Sequence, residues 1–268
     1  MKKVSKSNYT KLNYKSIKLR KNIIDVFLKS KKGHLGSAFS SIELISVIYD
    51  FFVKKKSKNN FVLSKGHGCL ALYSVLYEKK IISKKTLLSF CEFNSILGGH
   101  PEHFIPSIPF STGSLGHGFS ISAGISLANR IKKNNNKTFV LIGDGEINEG
   151  SIWEAFLSIN KHRLNNLITL LDYNKMQSYG FNKDILKLEP LRKKFESFGF
   201  KVLEIDGHSR KDIYLSLKKA MNYKLKPTIL ICHTIKGKGV KFMENNPSWH
   251  YKSKINNEEL KKLQEYFK

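Results

Sequence analysis

The sequence predicts an α/β protein in which a parallel β-sheet is covered by helices on both faces. Short runs of β-branched and apolar residues alternate along the chain with segments of helical periodicity, and this order is typical of strands joined by helical crossovers. The chain has 268 residues, of which 41% are hydrophobic, and this is enough for one large core. We therefore expect a single domain over residues 1–268.

The first part of the chain is predicted to be mainly helical. Apolar residues recur at helical spacing from Ser16 to Ser30, and a second helix is expected from Ser41 to Phe52. The segment "NFVLSKGHG" predicts a short strand that leads into a glycine-rich turn. The segment "CLALYSVLYEKK" predicts the helix that follows this turn.

The middle of the chain contains a long segment of a different kind, "ILGGHPEHFIPSIPFSTGSLGHG". It is rich in Gly, Pro and His and has no periodicity, and it is too long for a simple connection, so we expect it to carry function. The helix predicted after it, "FSISAGISLANRIKK", has small residues that would let another backbone approach closely.

The rest of the chain alternates strands and helices. The strands are predicted at "TFVLIG", "LITLL", "KVLEI" and "TILICHT", and helices are expected around Ile152–His162, Leu191–Phe198 and Asp212–Tyr223. The tail "NNEELKKLQEYFK" indicates a final amphipathic helix.

Two oxygen-bearing side chains follow neighbouring predicted strands. Asp144 comes after "TFVLIG" and Asn174 after "LITLLDY", and ligands of parallel α/β sheets bind beyond these strand ends. Carboxylate and amide oxygens suit Mg²⁺ or Ca²⁺, but two ligands are too few for a cage made of protein alone. A phosphorylated cofactor could complete the site, and Gly143 and Gly145 would let a diphosphate approach the backbone.

These residues alone leave a structural interpretation open. In it, Gly143–Gly145 is only a turn, and Asp144 caps the helix that starts near Glu149. The matched position of Asn174 at the next strand end favours the metal site.

The charge and the cysteines limit the class of protein. The net charge is +26, which would suit nucleic acid, but the lysines are spread along the chain in runs such as "KKNNNK". They form no stripe with interleaved aromatic residues, so we expect a solvated lysine surface and no nucleic-acid partner.

The three cysteines match no metal or disulfide spacing, and the basic amino terminus lacks the apolar core of a signal peptide. We therefore expect a cytoplasmic protein with no membrane partner.

Several motifs occur in one order along nearly the whole chain. They are "KKGHLGSAFSSIELISVIYD", "FVLSKGHGCLALYSVLY", "LGGHPE", "STGSLGHG", "IGDGEINEGSIWEA", "LLDYNKMQSYG", "FGFKVLEIDGHS" and "HTIKGKGVKFMENNPSWH". Together they resemble the thiamine-diphosphate-binding (PP-type) domain of transketolases, and most closely the free-standing N-terminal subunit of a two-chain transketolase.

This resemblance implies a cofactor site. Asp144 and Asn174 would hold Mg²⁺ (or Ca²⁺) together with the backbone carbonyl of Met176. Gly145 would lie along the diphosphate of thiamine diphosphate, and His67 would contact the same group. The residues implied around the cofactor are His67, Gly113, Ser114, Leu115, Gly143, Asp144, Gly145, Glu146, Asn174 and His250.

The resemblance also implies catalytic residues. His34 and His100 would face the substrate, and His250 would reach the reaction centre, although Tyr251 competes for that place. Glu149, with Glu154, resembles glutamates that link two active sites across a subunit interface. The implied catalytic residues are His34, His67, His100, His250 and Glu149.

The implied reaction is transfer of a two-carbon ketol unit from a ketose, or its phosphate, to an aldose. The resemblance ends before a pyrimidine-binding domain, so we expect activity only with a partner subunit that carries it, in a two-plus-two assembly. The resemblance implies that the arginines which bind sugar phosphates belong to that partner.

Two alternatives remain. One is a subunit of another thiamine-diphosphate enzyme, similar to 1-deoxyxylulose-phosphate synthase or a 2-oxoacid dehydrogenase, since both share the Gly-Asp-Gly and downstream Asn. The other is a binding module that keeps the fold without catalysis. The presence of Asp144, Asn174 and the histidines weighs against it.

Overall fold

The computed structural model describes residues 14–54, 57–178 and 180–266. The basic amino-terminal stretch and the last two residues of the predicted tail helix lie outside these ranges. The described part contains a five-stranded sheet in the order β1-β2-β3-β5-β4, in which every neighbouring pair is parallel. This confirms the predicted parallel α/β fold.

All five predicted strands are present. The two central strands β2 and β3 are buried at every residue, as expected when helices cover both faces. The edge strand β4 alternates between buried and more exposed positions. The strands are β1 (Asn60–Leu63), β2 (Thr138–Gly143), β3 (Leu167–Tyr173), β4 (Lys201–Asp206) and β5 (Thr228–His233).

The helices lie between the strands much as the periodicity predicts, and the short helices α4 and α7 are additional. No helix within the described ranges has the length and apolar character needed to cross a membrane. The helices are α1 (Tyr14–Ser30), α2 (Leu35–Phe51), α3 (Cys69–Glu78), α4 (Lys84–Leu88), α5 (His117–Ile131), α6 (Gly150–Lys161), α7 (Asn182–Ile185), α8 (Leu191–Ser197), α9 (Arg210–Asn222) and α10 (Asn257–Tyr266).

The predicted start of the second helix at Ser41 is wrong, because α2 begins at Leu35. The serines of "GSAFSS" suggest a non-helical segment, since a serine hydroxyl competes for backbone hydrogen bonds. Here the hydroxyls of Ser40 and Ser41 donate back to the carbonyl of Ser37, at 3.0 and 2.8 Å. All residues from Leu35 to Tyr49 are buried, so packing stabilises the early turns.

Each face of the sheet has its own apolar core. Phe139 and Leu141 of β2 point into a core shared with α1, α2, α3 and α9. Val140 and Ile142 point to the opposite face, into a core shared with α5, α6 and α8. This alternation holds the strands in register and brings their carboxyl ends to one edge, where the loops that follow them meet.

Candidate functional site

Asp144 and Asn174 lie at the carboxyl edge of the sheet. Gly143, the last residue of β2, is in register with Asp172 of β3, so the side chains that follow these strands emerge together. Asp144 is 2% exposed and Asn174 is 5% exposed. The Asn174 Oδ1 atom accepts a hydrogen bond from the backbone N–H of Met176 at 3.1 Å.

The alternative of a simple helix cap fits Asp144 only in part. Its Oδ1 atom accepts from the N–H of Gly145 at 2.9 Å and caps the 3-10 turn Gly145–Asn148. It does not cap α6, which follows Glu149 without a side-chain cap. Its second oxygen accepts from the N–H of Lys175, so this carboxylate joins the loops that follow β2 and β3.

Two buried charges in this region have no oppositely charged partner in contact. Among the ion pairs formed by the described residues, none includes Asp144 or Lys236. Burial, followed by the nearby charge of Asp172, raises the pKa of the Asp144 carboxyl to about 7. Burial, followed by the charge of Lys65, lowers the pKa of the Lys236 ammonium to about 8.

The contacts of Lys236 are unusual for a buried cation. This side chain is 3% exposed, and its ammonium donates to the carbonyls of Met176 and Gln177 at 3.4 and 3.2 Å. Carbonyl oxygens compensate a buried charge less well than a carboxylate or a phosphate does.

Lys65 and Asp172 form a buried ion pair near Asp144. Lys65 is 1% exposed and Asp172 is 0% exposed. Burial alone would raise the pKa of Asp172, but Lys65 and hydrogen bonds from Ser40 and Thr234 hold it below its ordinary value. This pair is satisfied within the protein, so it supports the cavity wall and needs no ligand.

One cavity joins these groups and also contains polar atoms without partners. Asp144, Asn174, Lys65 and Lys236 all line it. Three further atoms on its wall are buried and make no hydrogen bond: Ser37 Oγ, Gln177 Nε2 and His250 Nδ1. Buried polar groups are normally paired, so the cavity fits a polar ligand.

The predicted "TGSLG" segment lies beside this cavity. Gly113 has a φ of +146°, and a Cβ atom there would lie 2.9 Å from the His100 ring, so only glycine allows this contact. Leu115 lines the cavity, whereas Ser114 is exposed.

Gly143 and Gly145 line the same cavity, in agreement with a close approach of ligand to backbone. A Cβ atom on Gly145 would meet Gln177 at 3.0 Å. Position 145 is therefore already crowded without a side chain.

Glu146, which the resemblance places at the cofactor, has its oxygens occupied by the protein. One oxygen accepts from Ser64 Oγ and the Gly116 N–H at 2.5 and 2.9 Å, and the other accepts from the Gly143 N–H at 3.0 Å. Burial raises the pKa of this carboxyl, although these donors oppose the shift. Glu146 thus ties three loops of the site together.

The predicted histidines come together around His34. Its ring centroid lies 5.4 Å from that of His67, 6.4 Å from that of His100 and 5.3 Å from that of His250. These side chains are far apart in sequence, and the loops at the carboxyl edge bring all four within one cluster.

The environment keeps three of these imidazoles neutral. Burial, as the largest cause, lowers the pKa of His34 to about 4 and that of His250 to about 3. Burial and the charge of Lys65 lower the pKa of His67 well below its ordinary value. A neutral imidazole has one donor and one acceptor nitrogen, which suits contacts with hydroxyl groups.

A second cavity adjoins the first across the histidine cluster. It is lined by His34, His100 and Tyr251, whereas His67 and His250 line the cavity that contains Asp144. The Tyr251 ring lies 4.7 Å from that of His34. The two residues that competed for one role therefore face different cavities.

Glu149 and Glu154 lie apart from the histidine cluster, at the start of α6, and both are exposed. The described residues contain no group of three or more His, Cys, Asp or Glu side chains suited to hold a metal ion. A cation at Asp144 and Asn174 would thus need ligands from outside the side chains.

Sequence reasoning missed five residues of this site: Ser37, Lys65, Asp172, Gln177 and Lys236. Lys65 lies in the motif "FVLSKGHGCLALYSVLY" and Lys236 in "HTIKGKGVKFMENNPSWH", and this was the available signal, but neither motif shows that its lysine is buried. Only the tertiary structure distinguishes these two from the solvated lysines.

Comparisons with known proteins identify chains similar to this one. The profile of the family described as "Transketolase, thiamine diphosphate binding domain" matches residues 14–267. The chain is 38% identical over 247 residues to one subunit of the apulose-4-phosphate transketolase of Phocaeicola vulgatus, covering 90% of this chain and 88% of that relative. It is 36% identical to the 6-deoxy-6-sulfo-D-fructose transketolase subunit SqwG of a Clostridium species, covering 89% and 90%.

The fold is also similar to that of the transketolase from Campylobacter jejuni subsp. jejuni, with a TM-score of 0.86 and 27% sequence identity. The match covers 96% of this chain and 43% of that transketolase. The chain thus spans less than half of the length of that enzyme.

Proposed function

The chain belongs to the transketolase family through its thiamine diphosphate binding domain, and from this we propose that it is the N-terminal subunit of a two-chain transketolase. The proposed reaction is transfer of a two-carbon ketol unit from a ketose to an aldose. The match along most of two relatives named as transketolase subunits supports the two-chain form. The family profile over residues 14–267 supports the proposal that 1–268 is a single domain.

The observation that carries the proposal is the cavity at the carboxyl edge. It combines the unpaired ammonium of Lys236 with three unpartnered polar atoms, on Ser37, Gln177 and His250. An anionic group bound in this cavity would supply a partner for the Lys236 ammonium. The diphosphate of thiamine diphosphate has this chemistry, so the residues present fit the cofactor.

We assign the metal to Asp144 and Asn174, with the carbonyl of Met176 as a third ligand. Within the ranges that the structure describes, the buried Asp144 carboxylate forms no ion pair, and a divalent ion would stabilise its charged form. Oxygen ligands suit Mg²⁺ or Ca²⁺. The small number of protein ligands supports completion of the coordination shell by phosphate and water.

Thiamine diphosphate, when bound, supplies an ylid carbon that accepts the two-carbon unit from one sugar and passes it to another. The histidines act on the sugar hydroxyls. His34 and His100 face the second cavity, where imidazoles can orient hydroxyl groups and exchange protons with them. His250 lines the cavity that contains Asp144, which we call the cofactor cavity. We therefore assign the role at the reaction centre to His250 and a substrate contact to Tyr251.

The partner would carry the pyrimidine-binding domain, and we propose a two-plus-two assembly. Exposed Glu149 and Glu154 are available for such an interface, in accord with their predicted linking role. A cytoplasmic location is part of the same proposal.

The substrates are proposed from the relatives. The two relatives are named for ketoses that carry a phosphate and a sulfonate group, so we propose a ketose with a terminal anionic group as donor.

The test is a ketol-transfer assay with the tagged chain and the protein that co-purifies with it. Transfer from xylulose 5-phosphate to ribose 5-phosphate, with thiamine diphosphate and Mg²⁺, is measured for the chain alone and for the pair. Calorimetry on the same samples measures cofactor binding.

We expect activity and tight cofactor binding only with the pair. Cofactor binding without transfer would keep the cofactor assignment and direct the search to other anionic ketoses. A pair that binds no cofactor would contradict the proposed function.

A further inference from the structure

A basic cavity lies at the amino edge of the sheet, opposite to the histidine cluster. Its lining comes from segments that precede β2, β3 and β5, and its volume is about 480 Å³. It is lined by four cationic residues and four asparagines and by no carboxylate: Arg130, Lys133, Lys137, Lys224, Asn134, Asn135, Asn165 and Asn166.

The walls of this basic cavity are fixed by hydrogen bonds. The Asn165 side chain donates to the carbonyl of Lys224 at 2.5 Å, and the Asn166 side chain donates to the carbonyl of Ser126 at 2.8 Å. The N–H of Lys137 donates to the Asn59 side chain at 2.8 Å. The cationic side chains therefore extend from backbone segments held in place, unlike lysines on a loose loop.

Lys137 is a buried cation without a carboxylate partner. It is 7% exposed, and its ammonium donates to the carbonyl of Asn165 at 3.4 Å. Among ion pairs of the described residues, none includes any of the four cations lining the cavity. Burial, followed by the charge of Lys224, lowers the pKa of Lys137 to about 8. Burying an unpaired charge is unfavourable, so an anion here would relieve a cost present in the free chain.

A second, independent feature is an unpartnered polar atom. Asn166 is 8% exposed and lines the cavity, and its Oδ1 atom is buried without a hydrogen-bond partner. The wall of this cavity thus contains both a buried unpaired cation and a buried amide oxygen without a partner among the described residues.

We infer that this basic cavity binds a small phosphorylated anion with at least two negative charges, such as a diphosphate group. Hydrogen bonds from several cations to phosphate oxygens are strong and suit a concave site. The lining contains no aromatic residue on which a base could stack, and single-stranded nucleic acid normally requires one. A small ligand is therefore favoured over nucleic acid.

The test is calorimetric titration of the full chain with inorganic pyrophosphate, and in a second arm with ADP, at low ionic strength. Three proteins are compared: the wild type, the double variant Lys137→Gln/Lys224→Gln, and the matched control Lys218→Gln/Lys219→Gln. The control removes the same charge from an exposed part of α9. The cavity at the carboxyl edge could also bind pyrophosphate. It is the same in all three proteins, so the titrations are fitted with two sites and only the site at the amino edge is compared.

We expect the cavity variant to bind pyrophosphate about tenfold more weakly or worse, because two charge-assisted hydrogen bonds are lost, and the control to match the wild type. Tighter binding of ADP would identify a nucleotide, and equal binding would show that the diphosphate group is sufficient. If the double variant Lys137→Gln/Lys224→Gln does not fold, the double variant Lys133→Gln/Lys224→Gln, which changes two exposed residues, is used in its place. Equal binding by all three proteins, or no binding by the wild type, would overturn the inference.

Discussion

Buried charge occurs in two different forms in the described part of the chain, paired within the protein and unpaired. In the first form, Lys65 on the wall of the cavity at the carboxyl edge pairs with Asp172, and Arg20 pairs with Glu43; all four side chains are at most 1% exposed. In the second form, Asp144 and Lys236 on the same cavity wall are almost as deeply buried, but neither contacts an opposite charge within the described structure.

This difference separates structural charges from binding charges. A buried pair satisfies itself, and removing one member leaves the other unpaired at a high cost. An unpaired buried charge destabilises the free chain, and it gains a partner only when a ligand binds. Lys137 at the amino edge is also a buried cation without an ion pair among the described residues. The basic cavity and the cofactor cavity therefore share this feature.

The largest effect is expected for Asp144→Ala. In the assembled complex it should weaken thiamine diphosphate binding by more than about 100-fold, since even supporting residues of a metal ligand contribute 10- to 100-fold. The free energy of unfolding of the unliganded chain should fall by no more than about 2 kcal/mol, because the lost cap on the 3-10 turn is opposed by removal of an unpaired buried charge. Calorimetry of cofactor binding and urea unfolding test the two statements, with the exposed Asp212→Asn as control. Wild-type cofactor binding by Asp144→Ala would remove the metal assignment.

His100→Ala separates the two cavities that share the histidine cluster. We expect kcat for ketol transfer to fall about 100-fold or more, which is typical of a lost proton-transfer group. Cofactor binding should be retained, because His100 lines the second cavity. The exposed His103→Ala is the matched control. Unchanged turnover would exclude His100 as a catalytic residue.

Glu43→Gln tests the buried pair Arg20–Glu43. It leaves the buried Arg20 guanidinium without its charge partner, so the free energy of unfolding should fall by about 3–5 kcal/mol. The exposed Glu258→Gln, which loses a surface pair, should unfold like the wild type. A decrease in the free energy of unfolding of less than about 1 kcal/mol for Glu43→Gln would contradict the distinction between paired and unpaired charges.

The Arg20–Glu43 pair also predicts that the free energy of unfolding depends on pH. Burial acts to raise the pKa of Glu43, but Arg20 and His208 lower it from 4.5 to about 2. Stability from this group is complete above pH 4.5 and is lost as the pH falls towards 2. The difference amounts to roughly 3 kcal/mol. Urea unfolding from pH 6 to pH 2 should show this loss in the wild type and a smaller one in Glu43→Gln.

The smallest effect is expected for Lys137→Met. Replacing an unpaired buried cation with an apolar side chain of similar length should leave the free energy of unfolding within about 1 kcal/mol of wild type, or raise it, in buffer without phosphate. The exposed Lys219→Met is the control. A marked destabilisation would mean that Lys137 has a structural partner, which would contradict its assignment as a binding charge.

Much of the fold follows from the sequence, because local patterns carry it. The apolar runs that become β2 and β3 predict both strands and the edge at which Asp144 and Asn174 emerge. The predicted start of α2 is wrong because its early turns depend on burial against other elements. The predicted role of Glu146 at the cofactor remains a prediction, and its contacts with Ser64, Gly116 and Gly143 could not be seen from the motif.

The sequence by itself determined the order of strands and helices, the strand ends that hold Asp144 and Asn174, and the glycines and histidines of the site loops. These features depend on residue type and on spacing along the chain. Only the tertiary structure decided which lysines are buried and whether they are paired. Lys65 meets Asp172 across 107 positions of sequence, and no local pattern distinguishes it from a surface lysine, because burial and partners depend on segments that meet only in the folded chain.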